Sequence, residues 1–125
     1  MSADNYPDES FSLDSYEVEG ITVVTLPRTI PPSAMEKFKT ELLALANTSQ
    51  RAIILDLSNL HFANSAVLGV IVSAHRACHE RGDTLCFIKP RDAVAQLLRI
   101  SQLDRLILSY PNFEAARVAL MNQSG

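Results

Sequence analysis

Hydrophobic and polar positions along the chain change period several times, and each change marks an element. "FSLDSYEV" mixes Phe11, Leu13 and Val18 with polar residues, while "ITVVTL" is rich in β-branched side chains. With Glu19-Gly20 between them, the two read as short strands joined by a tight turn at Gly20. "PRTIPP" breaks the pattern. Met35, Phe38, Leu42 and Leu45 then recur at helical spacing, with Lys37, Lys39 and Glu41 off that stripe. A helix is predicted from about Ser33 to Ala46, opened by a capping box of Ser33 and Glu36 and closed by Asn47-Thr48-Ser49.

"AIILDL", from Ala52 to Leu57, is a continuous apolar run, the mark of a covered central strand. The loop "SNLHFAN" leads into a second helix. At about 100° per residue, Val67, Leu68, Ile71, Ala74, His75 and Cys78 fall within one arc. Gly69, Ser73, Arg76 and Glu80 fall opposite. Gly82 ends that helix. "TLCFI" is a further strand, and Pro90 is expected to start a helix carrying Val94, Leu97 and Leu98. "RLIL", Arg105 to Leu108, reads as a short strand. A last helix follows, capped by Asn112, with Phe113, Ala116 and Leu120 on one side. The order β-β-α-β-α-β-α-β-α implies an α/β domain: a mixed, mostly parallel sheet with helices packed against it and an antiparallel hairpin at its start.

The chain has 125 residues, 47% of them hydrophobic, which suits one domain with its own core. Residues 1–10 are polar and acidic and read as a loose tail; the domain is expected over 11–121, with 122–125 a second tail. The formal charge is −3, and the 11 basic residues are scattered, which argues against nucleic-acid binding. No apolar run approaches the ~20 residues of a membrane span, and "MSADNYPDES" has no signal-peptide pattern. No membrane insertion and a cytoplasmic location are expected. Cys78 and Cys86 match neither a zinc knuckle nor a redox pair and read as reduced, buried small hydrophobes.

The segment from Ala52 to Ile107 resembles the STAS domain, the fold of bacterial anti-sigma-factor antagonists. That family runs from an apolar strand ending in Asp-Leu, through a loop with an aromatic, to Asp-Ser-Ser-Gly-Leu-Gly and an apolar helix. A glycine helix exit, a strand and a Pro-started helix ending in Ser-Gly-Leu follow. Asp56-Leu57, Phe62, Ser65, Leu68-Gly69, Gly82, Pro90 and Leu103 take the matching places here. The likeness extends from about Phe11 to Leu120. Asn64 replaces the family's Asp, Val67 its first Gly, and Gln102 the Gly of Ser-Gly-Leu. The resemblance implies a regulatory, protein-binding module in transcriptional signalling. Its partner would be an anti-sigma factor that is also a serine kinase and phosphorylates Ser65, with a phosphatase as a further partner. The binding surface would be the Asn59–Ala66 loop, with His61, Asn64 and Ser65, and the start of the second helix, with Gly69, Ser73 and Arg76. Val67 would set a branched side chain where the kinase docks.

Two readings of Asn64-Ser65 stand side by side. Both residue types are favoured helix caps, which requires no function. A phosphate at a helix N-terminus is also compatible with the fold, because free amides and the helix dipole favour negative charge there. An alternative function is a STAS adaptor of a transport complex or larger signalling assembly, which needs no phosphorylation. His75 and His79 have the i, i+4 spacing of helical metal sites, but the helical wheel sends them toward packing and rim positions, so no metal is assigned. Ser65 lies outside a Gly-x-Ser-x-Gly motif, and there is no Gly-rich phosphate loop. No enzymatic activity and no cofactor are expected.

Overall fold

The computed structural model describes residues 10–49 and 51–123; the two tails expected from the sequence fall largely outside them, at 1–9 and 124–125. Five strands lie in the sheet in chain order: β1 (Asp14–Val18), β2 (Ile21–Thr25), β3 (Ala52–Asp56), β4 (Thr84–Ile88) and β5 (Ser109–Tyr110). β1 pairs antiparallel with β2, and every later pairing is parallel. The hairpin turn is Glu19-Gly20, both at positive φ (55° and 82°), with Val18 opposite Ile21. Two positive φ values match the right-handed strand twist, and glycine takes one of them without strain.

The helices are α1 (Met35–Thr48), α2 (Ser65–Glu80), α3 (Asp92–Ile100) and α4 (Phe113–Gln123). Sequential parallel strands with crossovers of one hand put every connecting helix on the same face. Phe38 and Leu42 of α1, Val67, Ile71 and Ala74 of α2, and Val94 and Leu98 of α3 accordingly share one core with Val24, Ile53, Leu55, Leu85 and Phe87. The alternate strand residues Ile21, Val23, Ala52, Ile54, Cys86 and Ile88 face the other way and pack with Ala116 and Leu120 of α4. β2, β3 and β4 are therefore apolar on both faces, as their unbroken runs indicate. Full burial of each large apolar side chain is worth about 1.5–3 kcal/mol. Cys78 and Cys86 are buried and free, and they belong to cores on opposite sides of the sheet. Burial pushes their thiols up, to about 11 for Cys78 and about 12 for Cys86; beside Cys78, Asp83 adds to the rise and Arg81 opposes it.

Three local expectations are corrected. The Ser33–Glu36 capping box does not form. Pro32–Ala34 makes a 3-10 turn after Pro31, α1 begins at Met35, and its N-cap Ala34 offers no side-chain acceptor. α3 begins at Asp92 rather than Pro90, with Arg91 as N-cap. "RLIL" is not a strand: Leu103–Arg105 forms a 3-10 turn, Ile107 is buried, and the strand is the two residues after Leu108. The turn at Gly82 matches its reading. Its φ is +79°, Gly82 N–H donates to His79 O and Asp83 N–H to Cys78 O, the paired bonds of a Schellman motif. Asn112 caps α4 through its Oδ1, which accepts the Ala115 amide at 2.8 Å.

Candidate functional site

The loop between β3 and α2 lies at the carboxyl ends of the parallel strands, where α/β sheets commonly place their sites. Two buried leucines anchor it. Leu57 N–H donates to Ile88 O at 3.0 Å, and Leu60 N–H to Leu57 O at 3.1 Å; both side chains are 1% exposed. The Asp56 carboxylate accepts the Ser58 amide at 2.9 Å and shapes the first turn. His61 N–H donates to Arg28 O at 2.9 Å, and Arg91 Nη1 donates to Ser58 O at 3.2 Å. The loop is thus held by the chain before it and the chain after it. Anchored this way, it displays Asn59, His61 and Phe62 to solvent, Phe62 being 60% exposed.

Asn64, not Ser65, is the N-cap of α2. Its backbone is extended (φ −124°, ψ −178°), and its Oδ1 accepts the Val67 amide at 3.0 Å. Asn64 O also accepts the Leu68 amide at 3.0 Å. Ser65 is the first helical residue, exposed, and its hydroxyl has no hydrogen-bond partner among the described residues. The family's Asp-to-Asn change at 64 keeps the capping function, since a carboxamide oxygen accepts an amide as a carboxylate does.

Val67 does not stand on this surface. It is 1% exposed and part of the core, so its branched side chain leaves the outer face of α2 untouched. That face carries Ala66, Gly69 and Arg76, all exposed, and half-buried Ser73, whose hydroxyl donates to Gly69 O at 3.1 Å. A Cβ built on Gly69 meets nothing within 4 Å. No packing among the described residues requires glycine there, although glycine inside a helix costs about 0.5–1 kcal/mol relative to alanine. The structure thus places Asn64, Ser65, Ala66 and Gly69 at the head of α2, while Asn59 and His61 stand on the loop before it, His61 beside Arg91, Asp92 and Ala93 at the start of α3. Ser73 and Arg76 lie one and two turns farther along α2.

Sequence reasoning passed over Arg28 and Arg91, which hold the loop, because neither lies in a motif. His75 and His79 stack with ring centroids 5.9 Å apart and planes 23° from parallel. Burial, and then the neighbouring His79 and Arg76, keep His75 below its usual range. Among the described residues, no group of three His, Cys, Asp or Glu side chains is placed to hold a metal, and no helix is long and apolar enough to cross a membrane.

Comparison with known proteins extends this geometry. The family model of the STAS domain matches residues 12–116. An anti-sigma-factor antagonist (STAS) domain protein from Planctomyces limnophilus superposes with a TM-score of 0.79 at 17% identity, over 87% of this chain and 97% of that one. The anti-sigma factor antagonist SpoIIAA in its unphosphorylated form gives 0.72 at 18% identity, over 86% and 96%. The Bacillus protein of that name in its phosphorylated form gives 0.67 at 14% identity, over 86% and 99%. The mouse anion transporter Solute Carrier 26 family member A9 gives 0.71 at 14% identity, over 86% of this chain but 18% of that one. Among curated proteins, none matches the sequence. At such identities the superpositions speak to the fold, whereas the family model speaks to the sequence over most of its length: the chain belongs to the STAS domain family.

Proposed function

We propose that this chain is a non-enzymatic regulatory module of the anti-sigma-factor antagonist type, with the working domain over residues 11–121. It docks through the Asn59–Ala66 loop and the outer face of α2 onto an anti-sigma serine kinase. That kinase phosphorylates Ser65, and a phosphatase resets it. The observation that carries this reading is the division of labour at the head of α2: Asn64 caps the helix, and the neighbouring Ser65 hydroxyl stays exposed and unengaged. A phosphate there adds a charge of about −1.5 to −2, which the helix end tolerates and a docked partner would feel. The open space over Gly69 supports close approach of a partner backbone. The SpoIIAA fold, known in unphosphorylated and phosphorylated forms, supports the same switch.

Mass spectrometry of the protein from growing cells should find phosphate on Ser65 and on no other serine. Ser65→Asp should weaken capture of the kinase, and Ser65→Ala should retain it and lose the switch. If Ser65 is never modified and Ser65→Asp binds as tightly as the wild type, the second reading takes over. In that reading the chain is a constitutive STAS adaptor of a transport complex or larger signalling assembly. The similarity to one part of a mouse anion transporter favours it.

A further inference from the structure

Leu106 and Leu108 are 51% and 55% exposed on either side of Ile107, which is 1% exposed. They lead into β5, which pairs with Phe87 and Ile88 alone. The outer edge of β4 from Thr84 to Cys86 therefore has no strand beside it among the described residues. Where the chain splays from that edge a wedge opens, a cavity of about 160 Å³. Leu85, Cys86, Leu106, Leu108 and Tyr110 line it together with Asp83 and Thr84, and His75 and His79 close it on the α2 side. The same histidines and Leu106 also line a broader trough of about 460 Å³ that continues over Val72 and Arg76. Wedge and trough thus make one depression, mostly apolar at its inner end apart from Asp83 and Thr84, with the Arg76 guanidinium at its outer end.

Arg76 forms no ion pair among the described residues. Of the nearby acids, Asp83 lies 3.6 Å from the Arg81 guanidinium, and Glu80 stands exposed on α2 without an ion pair. The buried His75 Nδ1 and Asp83 Oδ2 have no hydrogen-bond partner among the described residues.

We propose that this depression binds a small anionic amphiphile, an alkyl carboxylate of medium length. Its tail enters the wedge between β4 and Leu106–Leu108, and its carboxylate meets Arg76. A cavity of about 150 Å³ holds one benzene, so the wedge takes roughly six carbons and the trough the remainder. Leu106 and Leu108 then gain an apolar partner, and Arg76 an anion. Arg76 lies eleven residues from Ser65, roughly 16 Å along the helix, so the ligand sits beside the phosphorylation surface and its binding does not depend on Ser65.

The test is a 1H–15N NMR titration of the purified full chain with octanoate, beside octanol (tail without charge) and acetate (charge without tail). Octanoate should give saturable shifts confined to Val72–His79, Thr84–Cys86 and Leu106–Tyr110. It should bind at least about tenfold more tightly than octanol, and acetate should not bind. Arg76→Gln should remove the preference for octanoate over octanol while the spectrum stays folded. Leu106→Asp should abolish binding of both, and Ser65→Ala should change nothing. Shifts that do not saturate or that centre on another surface overturn the proposal. So do loss of the folded spectrum in place of binding, and an Arg76→Gln variant that keeps the preference.

Discussion

The side-chain oxygen of Asn64 accepts the Val67 amide at 3.0 Å, which leaves the Ser65 hydroxyl with no capping duty. The two neighbours should therefore respond differently to truncation. Asn64→Ala should cost about 1 kcal/mol in urea unfolding. Ser65→Ala should stay within about 0.5 kcal/mol of wild type, as exposed substitutions away from special features do. Ser65→Asp should be neutral or stabilising, because a negative group in the first helical turn is favoured by the dipole. Equal losses at both positions would mean that the two side chains share the cap.

Gly69→Ala should raise stability by about 0.5–1 kcal/mol, since the added methyl meets nothing within 4 Å and the backbone entropy cost of glycine is relieved. The same variant should bind its protein partner less well. A gain in stability with unchanged binding would show that the partner does not approach this part of α2.

Gln102 has φ +64°, in the left-handed region, just before the 3-10 turn at Leu103. The family carries glycine here. A side chain in that region costs of order 1–2 kcal/mol, partly offset by the greater freedom glycine has when unfolded. Gln102→Gly should raise the urea midpoint by the equivalent of roughly 0.5–1 kcal/mol.

Burial, with the nearby His79 and Arg76, holds the His75 pKa below 6.5 in the folded state. Above that value His75 is neutral folded and unfolded and contributes nothing to pH dependence. As pH falls through 6.5, the unfolded chain takes up the proton first, so stability is lost on the acid side until the folded pKa is reached. Urea midpoints measured from pH 7.5 down to 5.5 should decline, and His75→Leu should flatten that decline. An unchanged slope in the variant would assign the effect to other groups.

With their thiols pushed up to about 11 and about 12 and their side chains buried, Cys78 and Cys86 should be inert in the native protein at pH 8. An aromatic disulfide reagent should titrate neither thiol until denaturant is added, then both. Rapid native reaction at either would reveal local opening of the core that contains it.

The strands β2, β3 and β4 and the faces of α2 were legible because burial on one side or both imposes a period that the residues cannot hide. Val67, Ile71, Ala74 and Cys78 lie in the core as their spacing requires. Where one or two contacts decide, the pattern was silent. "RLIL" has the composition of a strand, yet only Ile107 is buried there, and backbone pairing at Ser109–Tyr110 defines β5. Ser33 and Glu36 spell a capping box, but the 3-10 turn after Pro31 moves the helix start past Ser33. At the site, Asn64 and Ser65 are both capping residue types. The extended backbone of Asn64 and its bond to Val67 decide between them. The Arg91 contact with the loop bridges 33 positions, a separation that no local motif records.

The spatial order of the strands, identical to their order in the chain, bears on how the molecule is made. In a sheet of this order no strand has to be inserted between two that precede it in the chain. Each parallel pairing joins consecutive strands, so no closure spans more than one β-α-β unit, although parallel pairing is itself slow to form. The frame around Ser65 nevertheless needs segments of the chain that come after α2. Its loop is tied upstream to the Arg28 carbonyl, but Leu57 waits for Ile88, and Ser58 for Arg91. A nascent chain that has emerged only as far as α2 would expose the serine without the frame that presents it. A kinase that reads the frame as well as the residue would therefore act on the finished domain and ignore the unfinished one.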